Sequence, residues 1–208
     1  MTAPDVVTEM FAAYRTSLDS LEGKLGNAFS DAVDLLGRMS GTVVVCGMGK
    51  SGLVGAKIAA TLTSTGTPSV FLHPAEAMHG DLGIVRKGDV IILISNSGET
   101  EEITRLLPAL KRLAVRIIAL VGNVDSTMAR AADICLDAAI DKEACPLNLA
   151  PTTSTLAALV LGDALAVALM ERRGFRPADF AATHPGGKLG KKLLHTAKDH
   201  MRSHDLPF

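Results

Sequence analysis

The chain has 208 residues, a formal net charge of −1, 48% hydrophobic residues and 19 glycines. That length supports one sizeable core. Near-neutral charge, no tryptophan and a single tyrosine argue against a nucleic-acid surface. No basic apolar leader opens the sequence, so a cytoplasmic location is expected.

Helical periodicity runs over residues 5–22 and 27–39, with Gly23 and Gly26 between them. Short apolar, β-branched runs follow at 42–46, 69–72, 90–94, 116–121 and 134–136. Helical patterns at 51–64, 99–113, 126–131 and 153–173 alternate with them. Strands that are apolar on both faces, separated by helices, predict a parallel sheet covered on both sides. The expected fold is α/β, a three-layer αβα sandwich of flavodoxin or Rossmann type around a mostly parallel sheet of about five strands. In such sheets ligands bind beyond the carboxyl ends of the strands. The longest apolar stretch, 156–170, contains Asp163 and is shorter than the ~20 residues that span a bilayer. A buried core helix is expected there, with Asp163 pairing or capping within it. The three cysteines (Cys46, Cys135, Cys145) have no C-x-x-C spacing and read as reduced thiols, not as a zinc knuckle.

The first strand runs into Gly47-Met48-Gly49-Lys50-Ser51-Gly52, which fits G-x-G-x-x-G and also contains Gly-Lys-Ser. Neither nucleotide reading holds. A P-loop needs glycine at position 44, where valine stands, and the second strand ends on His73-Pro74 instead of a ribose-binding carboxylate. What remains is a tight strand-to-helix turn whose backbone N–H groups and helix dipole accept an anion, with Lys50 and Ser51 at its mouth. A ligand-free turn is the competing reading. The third strand runs into Ser95-Asn96-Ser97-Gly98-Glu99-Thr100. One serine there is an ordinary helix cap. Ser95, Ser97 and Thr100 together with Gly98 exceed what capping needs, which points to phosphate. Two such turns on neighbouring strands suit a small phosphorylated ligand better than a nucleotide.

Taken together, "GMGKSG", "TSTGTPS", "HPAEAMHGDLG", "ISNSGETEEI", "KEACPLNLAPTTST" and "THPGGKLGKKLL" resemble a sugar-isomerase (SIS) domain. More narrowly they resemble the bacterial D-arabinose 5-phosphate isomerases of 3-deoxy-manno-octulosonate (KDO) and lipopolysaccharide biosynthesis. The resemblance covers about residues 5–195. Members of that family commonly continue into a pair of CBS domains; residues 196–208 resemble the start of that region, so regulation through CBS ligands is not expected of the chain as given.

The resemblance implies an aldose-ketose isomerase that interconverts D-ribulose 5-phosphate and D-arabinose 5-phosphate through a cis-enediol(ate), with no required cofactor. It implies catalytic roles for Lys50, Glu102, Glu143 and His184, substrate contact by His79, and a pocket lined by Gly66 and Thr67. Each residue has a plainer reading as well. Glu102 lies in the first turn of a helix, where any glutamate favours the dipole, and it neighbours Glu99 and Glu101 as a solvated charge would. Glu143 sits in a loop beyond the last strand and is the first choice for the proton-shuttling base; a pKa raised by partial burial would suit that task. His79 and His184 stand beside glycine or proline turns and are suited to ring opening or proton transfer. A zinc contact is implied at His73, yet one histidine is no metal site, so adventitious capture with His79 and His184 is the most it supports. Cys145 has no adjacent base and is expected to be a buried, inert thiol. The implied partners are a small phosphorylated sugar and further copies of the chain in a dimer or tetramer, with no nucleic acid and no membrane. A non-catalytic phosphosugar sensor and a 6-phospho-3-hexuloisomerase are the alternatives. A sensor has no need for Lys50, two glutamates and two histidines together.

Overall fold

The computed structural model describes residues 2–184. The expected boundary near 195 and the tail 196–208 lie outside the described residues. Five strands, β1 (Val43–Gly47), β2 (Ser69–Leu72), β3 (Val90–Ser95), β4 (Arg116–Val121) and β5 (Ile134–Asp137), form one wholly parallel sheet in the order β2-β1-β3-β4-β5. Each matches an expected apolar run to within a residue at either end.

The pattern that made these strands apolar throughout divides between two layers. On one face Val43 and Val45 of β1, Val90, Ile92 and Ile94 of β3, and Ile118 and Leu120 of β4 are buried together. They pack under α1 (Ala3–Gly23), α2 (Asn27–Arg38), α3 (Gly49–Ser64) and α8 (Thr153–Arg173). On the other face Val44, Cys46, Ile91, Leu93, Ile117, Ala119 and Val121 pack under the remaining helices. These are α4 (Pro74–Ala77), α5 (Glu101–Thr104), α6 (Leu107–Arg112) and α7 (Thr127–Ala131). Period-two alternation thus feeds two separate cores.

α8 runs longer than its uninterrupted apolar stretch, 21 residues, and by length and composition alone it could span a membrane. Here it packs on α3, α2 and α1, with Leu161, Leu165, Ala166 and Leu169 buried. The expected partner of Asp163 is Lys57 of α3, whose Nζ lies 2.5 and 2.6 Å from the two carboxylate oxygens.

Three local expectations change. The single helix predicted over 99–113 is two, α5 and α6, because Pro108 has no N–H to return to the carbonyl of Thr104. The segment after β2 contains α4 and a 3-10 turn, Asp81–Ile84, where only a loop was read. A ninth helix, α9 (Pro177–Thr183), follows α8 and donates from Thr183 Oγ1 to the carbonyl of Ser64 at the end of α3.

Candidate active site

The strand order places the reversal of chain direction between β1 and β3. From β1 the chain crosses outward to β2 and then returns to β3 on the other side. A crevice opens at such a switch point, beyond the carboxyl ends of the two strands. The two turns singled out from sequence flank it. Lys50 and Ser51 lie in the first turn of α3, Lys50 exposed and Ser51 half-buried. Gly49 holds φ +56°, a left-handed conformation that glycine adopts without penalty, and it lets the chain turn from β1 into α3. Among the described residues no carboxylate pairs with Lys50.

The 95–100 turn is braced from within and from the side. Ser95 is buried at the end of β3, and its Oγ accepts from Gly98 N at 3.0 Å and lies 2.7 Å from Thr100 Oγ1. Ser97 Oγ accepts from Glu99 N at 3.2 Å. The loop after β4 clasps it: Gly122 N donates to Asn96 O, Met128 N to Gly98 O, and Thr127 N to Glu99 Oε1. Gly98 has φ +67°, and a methyl group there would meet Ser126 Oγ at 2.0 Å. Both the backbone sign and the space demand glycine. Ser97 is exposed and Thr100 half-buried. The bond from Thr127 N lowers the carboxyl pKa of Glu99, which caps α7, a role sequence reasoning did not assign.

Glu102 is half-buried in the first turn of α5. α4 packs against α5, bringing the exposed His79 at the end of α4 to the same end of the sheet. His73 follows β2 directly. Its ring stands edge-on to Phe71 at 6.5 Å, and its Nδ1 is buried with no partner among the described residues. Among those residues no three His, Cys, Asp or Glu side chains are placed to hold a metal, so His73, His79 and His184 do not assemble a zinc site there.

Glu143 lies in the long loop between β5 and α8 and is tied to the first turn of that helix. Its Oε2 accepts from Thr152 N at 2.7 Å, Thr152 Oγ1 at 3.0 Å and Ser154 N at 3.2 Å, and its Oε1 accepts a short bond from Ser154 Oγ. The raised pKa expected from sequence does not appear. Partial burial does push the carboxyl upward, but these hydrogen bonds outweigh it, and the net direction is down. Cys145 also departs from expectation. It is half-buried, not buried, and backbone N–H groups led by that of Ala150 lower its thiol. No cationic side chain among the described residues contributes to that lowering. Cys46, fully enclosed in β1, is pushed up to about 12 by burial.

Three expected site residues are elsewhere. Gly66 and Thr67 precede β2 and therefore lie at the amino end of the sheet. Gly66 O accepts from Arg173 Nη1, and Thr67 is fully buried with its Oγ1 unpartnered among the described residues. His184 follows α9, which docks on Ser64. From Lys50 to Ser64 along α3 is roughly 20 Å, so one protomer does not bring this group to the crevice. His184 Nδ1 lies 2.9 Å from Phe180 O, and Phe180 stacks on the ring at a centroid separation of 3.8 Å. Thr183 Oγ1 lies 3.0 Å from the same Nδ1; a carbonyl only accepts, so the bond to Phe180 O is made with the hydrogen on Nδ1.

A wholly parallel five-stranded sheet between helical layers, with a glycine-containing strand-to-helix turn on each side of its switch point, defines a doubly wound α/β domain. The SIS domain model matches residues 38–168, and the chain belongs to the SIS domain family. It is 58% identical over 187 residues to arabinose 5-phosphate isomerase KdsD of Pseudomonas aeruginosa, covering 90% of this chain and 57% of that protein. It is 55% identical over 197 residues to KdsD of Escherichia coli K12, covering 95% and 60%. The chain thus spans about three-fifths of the length of these curated relatives. Among solved structures it resembles Escherichia coli CFT073 c3406 in complex with arabinose 5-phosphate. That match has 40% identity and a TM-score of 0.85, and it covers 89% of this chain and 100% of that one.

Proposed function

We propose that this chain is an aldose-ketose isomerase that interconverts D-arabinose 5-phosphate and D-ribulose 5-phosphate. The observation that carries the proposal is that Lys50, residues 95–100 with Glu102, and Glu143 each follow the carboxyl end of a strand of one parallel sheet, β1, β3 and β5 in turn. The identity to arabinose 5-phosphate isomerases over nine-tenths of the chain and the sugar-phosphate complex of a similar structure support the choice of substrate.

The phosphate is held by Ser95, Ser97, Thr100 and the backbone around them, with Ser51 at the facing turn. A carboxylate, Glu143 by preference, takes the proton from C2 of the aldose. The electron pair moves into a C1–C2 double bond, and the C1 carbonyl becomes an enediolate oxygen steadied by Lys50. A hydrogen passes from the C2 hydroxyl to the C1 oxygen, and the abstracted proton returns to C1. Glu102, His79 and His184 serve ring opening and the transfer between oxygens. The reaction is an internal oxidation and reduction and requires no redox cofactor. Because Gly66, Thr67 and His184 sit at the far end of the sheet, a complete site takes them from a second copy of the chain, in a homodimer or homotetramer. The product supplies KDO and lipopolysaccharide synthesis in the cytoplasm.

The test is incubation with ribulose 5-phosphate in D2O. Deuterium at C1 of the remaining ketose and at C2 of newly formed arabinose 5-phosphate is the expected result. Phosphosugar binding with neither exchange nor product overturns the isomerase and favours a sensor.

A further inference from the structure

The loop between β5 and α8 is braced more heavily than a connection needs. Its turn is set by Asn148, which holds φ +53°, accepts from Glu143 N at 2.7 Å through Oδ1, and donates from its own N–H to Cys145 O at 2.8 Å. Thr152 Oγ1 accepts from Ala144 N at 3.0 Å and passes its own hydrogen to Glu143 Oε2. The hydroxyl therefore sits in a relay between the loop backbone and the carboxylate. Ser154 is buried, with its N–H and Oγ each bonded to a different oxygen of Glu143. Three donors occupy Oε2 and one occupies Oε1. Each carboxylate oxygen offers about two lone-pair sites, so Oε2 is crowded while one lone pair of Oε1 is left, and its direction is set by the four bonds.

We infer that Thr152 and Ser154 are positioning residues that hold the Glu143 carboxylate in one orientation, with Oε1 presenting its single remaining lone pair to the reacting carbon. The inference rests on the isomerase reading. A base that must take a proton from carbon works only if its lone pair is aimed before the substrate arrives. A freely rotating glutamate side chain would have to be ordered at every turnover. The four bonds supply that order through the rigid first turn of a 21-residue helix. They also keep Glu143 ionised, since donors favour the charged form. The other charged groups at this loop include the Lys24–Asp137 pair at its start, where Lys24 Nζ also donates to Ala139 O, and Asp141 and Lys142 with Glu9 across from them on α1. Glu9, Asp141 and Lys142 line a groove of about 370 Å³, and no charged side chain among the described residues contributes to the lowering of Glu143.

The experiment compares the wild type with Ser154→Ala, Thr152→Val and Thr152→Ser, each as the full chain and each checked for folding by circular dichroism. Ser154→Ala and Thr152→Val should lose kcat by about ten- to a hundredfold, with KM within about twofold. The acid limb of kcat/KM should move to higher pH in both. Thr152→Ser restores the hydroxyl and should restore rate and profile. Titration of a ¹³C-labelled Glu143 carboxyl by NMR reads the same shift without turnover, and it serves if a variant is inactive. Unchanged pH limbs and an unchanged carboxyl titration in folded Ser154→Ala and Thr152→Val overturn the inference. An inactive wild type whose Glu143 titration still responds to these variants overturns the isomerase reading instead, and with it the catalytic purpose of the brace.

Discussion

Two loops at the carboxyl end of one sheet are held by different chemistry. The 95–100 turn is fixed by hydroxyls and backbone N–H groups and clasped by the loop after β4. The 143–154 loop is fixed by one carboxylate that four donors from the first turn of α8 converge on. The first brace has no titratable group at its centre. Glu99 at its rim is fully exposed, and its bond to α7 is screened by water. The second brace depends on the charge of a group that is also the preferred base. One loop is therefore a passive anchor, and the other couples its shape to its ionisation.

The sharpest way to break this contrast is Glu143→Gln. Loss of the base should lower kcat by about a thousandfold, with deuterium exchange lost and phosphate affinity nearly kept. Full activity would remove Glu143 from the chemistry and leave it as a helix cap. Lys50→Ala should cost about a hundredfold in kcat with a smaller change in KM, because its charge matters most when the enediolate forms. Gly98→Ala attacks the other loop. A positive φ and contact with Ser126 should cost roughly 2–4 kcal/mol in urea unfolding and raise KM for both sugar phosphates. A stable variant with wild-type KM would show that the turn is not the phosphate anchor.

The pH response separates the loops most finely. The carboxyl of Glu143 is lower in the folded protein than its ordinary 4.5. Its contribution to stability is therefore whole above that value and is lost as pH falls through the folded value. Urea midpoints measured from pH 7 down to pH 3 should fall further for the wild type than for Glu143→Gln. Equal falls would mean that the cap holds equally well uncharged. The smallest effect is expected of Ser97→Ala, a few-fold rise in KM at unchanged stability, since Ser97 is exposed and one donor among several.

Much of this was legible in residues. Strand positions followed from β-branched runs, and the excess of hydroxyls in SNSGET stood out against the needs of a cap. Thr152 and Ser154 stand at the start of α8, where hydroxyls cap helices, and nothing local says that their partner is a glutamate nine to eleven residues earlier. Cys145 was read as a buried, inert thiol because no base stands beside it in the sequence. Its loop instead turns backbone N–H groups toward the sulfur, which depends on the conformation around Asn148.

The sequence by itself determined the α/β class, the apolar strands and the two glycine-containing strand-to-helix turns, because periodicity and turn chemistry act over a few residues. The strand order, and with it the crevice between β1 and β3, was decided by tertiary structure. So were the separation of Gly66, Thr67 and His184 from that crevice and the downward shift of Glu143. Each depends on which distant groups meet, and a carboxylate's pKa is set by the donors that packing brings to it.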